Sequence, residues 1–241
     1  MSENTRSENS RSQDSRGQDS RARLSSADLS SADLSSTDRR ARLVRLGVNF
    51  LGFQAVWLAC VVGAGQGQPG LGPLTAALWL GLHLWLSKRA AGYEGSRSPA
   101  DEIGIELKFF LTALLVGGAL DSVLSIAGLI AFPAHARLDI ALHPIAPPWM
   151  IALWGAFATT LRHSLNWMRR RYALALGAGA IFGPLAYLAG ERLGAIHLAP
   201  SFSGVLAVAL VWAAAMPFLL WLRERLESAS PSSRALARDG R

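Results

Sequence analysis

The sequence predicts an all-α fold: a polytopic membrane helix bundle of about six transmembrane helices, preceded by a disordered N-terminal tail. Three observations predict it. Of the 241 residues 51% are hydrophobic, yet the 24 basic and 17 acidic side chains are crowded toward the ends. Residues 1–45 carry 16 of these charges and residues 223–241 carry eight, which leaves 17 for the 177 residues between Leu46 and Leu222. Leu46–Ser87, Ile140–Leu161, Tyr172–Gly190 and Leu193–Leu222 hold no Asp, Glu, Lys or Arg, and Phe109–Ala136 holds only Asp121. A helix on the surface of a soluble domain needs a charged face, whereas about 20 apolar residues cross a bilayer.

Glycine, proline and basic residues divide the apolar block into elements. A first helix over about 44–64 follows Arg42 and Arg45 and stops at Gly65-Gln-Gly-Gln-Pro-Gly70. The second, about 71–86, is short and ends at Lys88-Arg89; the third, about 107–131, ends before Pro133. Pro147-Pro148 opens the fourth, about 147–167, because proline suits the first turn of a helix. The fifth is about 172–190, following Arg169-Arg170-Arg171, and the sixth about 202–222. The domain organisation expected is therefore a disordered tail over 1–42, a transmembrane domain over 43–223, and a disordered C-terminal tail over 224–241.

Six spans put both termini on one side. Thirteen basic residues fall on that side (Arg39, Arg40, Arg42, Arg45, Lys88, Arg89, Arg97, Lys108, Arg169, Arg170, Arg171, Arg223 and Arg225), against Arg137 and Arg192 on the other. The positive-inside rule makes that side cytoplasmic, and Trp85, Trp167 and Trp221 lie where an interfacial aromatic belt belongs. The expected location is a bacterial inner membrane. The first apolar run begins too late for a signal peptide.

The tail is a degenerate five-residue tandem, from Ser2-Glu-Asn-Thr-Arg6 to Ala32-Asp-Leu-Ser-Ser36. Its last two copies resemble the pentapeptide-repeat solenoid, but only Leu29 and Leu34 occupy the central position. Two units cannot stack into a core. Such a Ser-, Arg- and Asp-rich tail is expected to be disordered.

Other signals exclude more than they assign. One cysteine, Cys60, rules out an internal disulfide, and it reads as a small apolar residue of the first span. The net charge of +7 does not indicate nucleic acid, since 22 of the 24 basic residues are Arg placed mostly at span ends. Gly65–Gly70 matches the spacing of a dinucleotide fingerprint but joins two membrane helices, so it reads as a tight turn. The histidines, His83, His135, His143, His163 and His197, lack the short spacings of membrane di-iron enzymes. His135, Asp139 and His143 would share a helix face, but a polar interfacial helix explains them without a metal. No cofactor and no metal is expected.

The polar groups inside the spans form the candidate site: Asn49, Gln54, Asp121, Thr159, Arg162, His163, Asn166 and Tyr187. A charge in hydrocarbon is costly, so it faces the bundle and finds a partner. Asp121 lies about 21 Å along the third span at 1.5 Å per residue, near its middle. Thr159, Arg162, His163 and Asn166 form a stripe in the fourth. The same groups also serve a purely architectural role, with Arg162 reaching the inner surface to pair with Glu106. Gly179-xxx-Gly183 before Pro184 reads as close helix packing with a kink.

Asn49-Phe50, Phe53-Gln54, Trp57, Asp121-Ser122, Pro147-Pro148-Trp149, Leu153-Trp154, Phe157 to Leu161 and His163-Ser164 together resemble an uncharacterised family of bacterial inner-membrane proteins, a domain of unknown function. The resemblance covers roughly residues 47–222. It implies no established activity; its members' setting is similar to that of proteins encoded near membrane-lipid modification enzymes, and the position of Arg162 is commonly a neutral polar residue in it. The favoured expectation is an accessory or binding component in membrane-lipid metabolism or envelope assembly, whose partners are the lipid bilayer and a membrane-lipid enzyme or other membrane protein. The alternatives are a small transporter built around Asp121 and an intramembrane enzyme using His163 or Asp121 as acid or base.

Overall fold

The computed structural model describes residues 39–94, 98–137, 145–200 and 202–229. The pentapeptide-like repeat as far as residue 38, Asp139, His143 and residues 230–241 lie outside these. Six α-helices occupy the described residues: α1 (Arg39–Gly65), α2 (Leu71–Glu94), α3 (Pro99–Ile126), α4 (Pro148–Arg162), α5 (Tyr172–Arg192) and α6 (Ser203–Ser228). Residues 39–47 are the first turns of α1, and the packing described below is that of residues from 48 onward.

The fold is an all-α membrane helix bundle. Leucines, isoleucines and phenylalanines that a soluble protein would bury point outward, among them Leu51, Leu78, Leu115, Phe182 and Leu210, each at least 60% exposed. Such a surface is stable only where the surroundings are hydrocarbon. α1, α3, α5 and α6 are each long and apolar enough to cross a membrane. α2 mixes Pro73, Trp79, His83 and Trp85 among its leucines before reaching Lys88 and Arg89, and α4, with 15 residues, is about 22 Å long against a hydrocarbon core of about 30 Å.

Helix ends follow local chemistry that the charge pattern does not reveal. α3 begins at Pro99, eight residues before the expected start, because the Ser98 hydroxyl accepts the Asp101 amide at 3.1 Å and proline fills the first helical position. It stops at Ile126, before the expected Ala131, because Gly128 turns left-handed at φ +70°. α6 continues past Leu222 to Ser228, and α1 starts at Arg39 rather than Val44.

Contacts sort the ends of the helices. After α3, the strand β1 (Ile130–Ala131) pairs antiparallel with β2 (His197–Leu198), which follows α5, in the register Ile130 to Leu198 and Ala131 to His197. Gly65 at the end of α1 lies against the Leu193 carbonyl with no room for a Cβ. The Gly65–Gly70 segment is a tight turn, closed by Gln68 N–H donating to Gly63 O at 2.7 Å with Gly67 at φ +76°. The C-terminal ends of α1, α3 and α5 thus share one end of the bundle with the start of α4, whose Trp149 Nε1–H donates to Ala136 O at 2.7 Å. Two apolar clusters fill the interior, one around Trp149, Ile130 and Ile196, the other around Phe109, Trp154, Leu161 and Leu219.

Candidate functional site

The expected intramembrane polar set divides into two assemblies at different depths. Asp121 of α3 is fully buried, and it stands five residues before the helix ends at Ile126, toward the β1 end of the bundle and not at the middle that the expected span gave it. Trp154 Nε1–H of α4 donates to its Oδ2 at 2.7 Å, and the Tyr187 hydroxyl of α5 donates to its Oδ1. The Trp154 indole lies against Gly117, where a Cβ would overlap the ring, and stacks on Trp212 of α6 with centroids 4.2 Å apart and planes at 14°. The Trp212 side chain in turn presses on Gly183 and its backbone carbonyl on Gly179, so the glycine pair on α5 lets α6 approach closely. Four helices meet around one carboxylate. Beside it, the Ser122 hydroxyl donates to Gly118 O at 2.6 Å and accepts the Ala146 amide at 3.0 Å.

The second assembly gathers at the opposite end from β1 and β2, around the C-terminus of α4. Asn49 Nδ2 donates to Thr159 O at 3.2 Å, while its Oδ1 accepts from Ser164 N–H at 3.2 Å and the Ser164 hydroxyl at 2.8 Å. Arg223 NH1 donates to Leu161 O at 2.7 Å and NH2 to Asn166 Oδ1 at 2.8 Å. These side chains satisfy carbonyls that a helix end leaves without partners, which is why α4 closes at Arg162 and gives way to a short 3-10 turn at Asn166–Met168 instead of running to Trp167. Thr159 also accepts Trp79 Nε1–H through its hydroxyl at 3.2 Å.

Arg162 is the hub of a buried charge network. NH1 lies 2.8 Å from Glu106 Oε1, NH2 2.9 Å from Glu102 Oε1, and Nε 3.3 Å from Glu227 Oε1. Arg223 Nε adds a 2.9 Å bond to the same Glu227 oxygen. Glu106 is shared further: His163 Nε2 is 2.7 Å from its Oε1 and His83 Nε2 3.4 Å from its Oε2. The two imidazoles meet edge to face, centroids 4.8 Å apart. Buried charges survive only where partners of opposite sign surround them, and here three carboxylates enclose one guanidinium.

Asp121 and Tyr187 therefore come together, as do Asn49 with Thr159, and Arg162 with His163 and, through Arg223, Asn166. Asp121 does not meet the Arg162 stripe, and Gln54 stands apart on an exposed face of α1. Trp154, Trp79, His83, Glu102, Arg223 and Glu227 join these assemblies without having been singled out. Two of the omissions had a signal: Glu102 with Glu106, and Arg223 with Glu227, are each spaced i, i+4 on one helix face. Of the His135, Asp139 and His143 pattern, His135 is described, and its Nε2 pairs with Gly194 O at 3.0 Å.

A groove of about 730 Å³ runs beside the Asp121 assembly, walled by aromatic and aliphatic side chains of α1, α4, α5 and α6, including Phe53, Trp57, Phe157, Phe182 and Trp212. Gln54, Thr160 and Tyr187 are its polar lining residues, and none of its walls carries a charge. Its rim includes Phe50, Trp167 and Phe182, each more than 45% exposed, so it opens onto the lipid-facing surface.

No curated protein and no solved structure matches the chain. Residues 46–218 match the family described as "Protein of unknown function (DUF2878)", nearly the whole membrane domain and every polar group described above except Arg223 and Glu227. This integral membrane protein belongs to that family.

Proposed function

We propose that the protein is a six-span inner-membrane component that holds an acyl chain of a bilayer lipid in its aromatic groove, and that it serves membrane-lipid metabolism or envelope assembly as a binding partner of a lipid-acting enzyme. The observation that carries this reading is the groove itself. Its volume of about 730 Å³ falls in the range of small-ligand sites, about 300–1,000 Å³. Its walls carry no charge, and its rim is continuous with the surface that faces hydrocarbon, so a lipid tail reaches it without crossing water. Both oxygens of Asp121 are engaged by buried donors, which favours an architectural carboxylate over a transport site.

Six crossings are supported by parity. The ends of α1, α3 and α5 share one end of the bundle, so α2 must carry the chain back before α3, and α4 before α5. The basic asymmetry then argues for cytoplasmic termini.

Lipid extraction from protein purified out of native membranes tests the groove. We expect about one lipid retained per chain, and its loss in an Ala178→Trp variant, whose indole occupies the groove. Lipid of bulk composition in both proteins would refute the reading. The same preparation tests the partner: a lipid-modifying enzyme should co-elute with the wild-type chain.

A further inference from the structure

We propose that His83, Glu106 and His163 bind a first-row divalent cation, with zinc as the reference ion, at the end of the bundle where α4 closes. Three separate elements supply the ligands: His83 comes from α2, Glu106 from α3, and His163 from the residue that caps α4. One donor atom from each lies within 4.8 Å of the other two. Two imidazoles and a carboxylate are a donor set that zinc takes in open catalytic sites, and the same set serves ferrous iron.

The distances fit a metal in particular ways. Bonds of about 2.0–2.1 Å in a tetrahedral site set ligand atoms about 3.3–3.4 Å apart. His83 Nε2 and Glu106 Oε2 stand at 3.4 Å already. That separation, with its angles, makes no hydrogen bond, and His83 Nε2 has no hydrogen-bond partner although the residue is only 4% exposed. A buried ring nitrogen held at ligand spacing from a carboxylate oxygen, without a hydrogen bond between them, is a poor arrangement for a structural hydrogen bond and a good one for a shared cation.

His163 closes the set. Its Nε2 is 2.7 Å from Glu106 Oε1, a contact that metal binding replaces. Its side chain is 33% exposed, so the ring has room to swing off Oε1 and to close the widest donor separation, within 4.8 Å, to tetrahedral spacing. The fourth position then faces the accessible side of His163. With the metal on Oε2, Glu106 keeps its Oε1 contact to Arg162 at 2.8 Å, which fixes the carboxylate as outer partners of metal ligands commonly do. The guanidinium does not expel the ion, because Glu102 and Glu227 neutralise its two other faces. The cation would supply a Lewis acid or an activated water near the membrane surface.

The test uses the full chain in detergent, with any affinity tag removed, stripped by chelator and dialysed against zinc. Elemental analysis should find one zinc per chain, and His83→Gln and His163→Gln should each weaken zinc binding at least tenfold while helicity and elution volume hold. Retention of zinc at no more than the buffer level would overturn the site, as would equal binding by either variant. Should a variant not fold, cobalt absorption of the unmodified chain decides: intense tetrahedral bands support the site, and the pale spectrum of the hydrated ion overturns it.

Discussion

Asp121 shows how an acid is tolerated inside a membrane helix bundle. Its two oxygens face an indole N–H and a phenol O–H, neutral donors carried on stiff aromatic frames, and the helices that bring those frames are held by glycine contacts. Removing one donor leaves an oxygen buried without a partner, at a cost of about 1–3 kcal/mol. Tyr187→Phe should therefore lower the melting temperature in detergent. Asp121→Asn preserves the shape and should be milder than Asp121→Leu, which strands both donors; the reverse order would mean that the carboxylate is not the organising group. Should Asn abolish biological function at unchanged stability, the acid would have a role beyond architecture. Arg162 is the converse case, one cation among Glu102, Glu106 and Glu227. Arg162→Met leaves those carboxylates without their shared partner, and losses after breaking a buried pair run at about 3–5 kcal/mol. A melting temperature equal to the parent's would count against the hub.

At the scale of elements, glycine positions on one helix have opposite values. On α5 an added Cβ at Gly183 would collide with Trp212, whereas at Gly177 it would meet nothing within 4 Å. Overpacking costs about 1–3 kcal/mol, and a helical Gly→Ala change in open space gains up to about 1 kcal/mol. Gly183→Ala should destabilise and Gly177→Ala should not, by thermal melting of the two proteins side by side; equal effects would contradict the packing described. The ends of α4 follow the same logic of contact over propensity. Nothing in Leu161-Arg-His-Ser164 marks a stop, and the helix ends there because Asn49 and Arg223 reach in from α1 and α6. The N-terminal repeat, in contrast, holds little apolar surface to offset about 1–2 kcal/mol of backbone entropy per ordered residue. Deleting residues 2–38 should leave membrane yield and melting temperature nearly unchanged, and a large fall in either would mean that the segment docks.

For the whole molecule, the paired strands and the Gly65 contact make a topological statement that does not depend on charge counting. The loops after α1, α3 and α5 share one end, so reporters placed there must agree with one another. A phosphatase active only outside the cytoplasm, fused after Gly67, Asp139 or His197, should be active; fused after Arg97 or Arg171 it should not. Activity at Arg97 would invert the orientation, and disagreement between Gly67 and His197 would break the parity that the proposed six crossings require.

What the sequence determined by itself is the class of fold and the tight turn at Gly65–Gly70, because burial in lipid acts residue by residue: each charge excluded from hydrocarbon leaves its mark on composition, whatever the helix packs against. The Asp121 and Tyr187 positions were legible for the same reason, as polar groups that must find partners. What only the tertiary structure decided is who those partners are. Trp154 reads as one more apolar aromatic until α3 brings Asp121 beside it. His83, Glu106 and His163 lie 23 and 57 residues apart along the chain, so no spacing rule joins them, and only the convergence of α2, α3 and the end of α4 sets their donor atoms within 4.8 Å. Pairing between helices is a property of which faces meet, and a sequence written in apolar letters on nearly every face does not specify that.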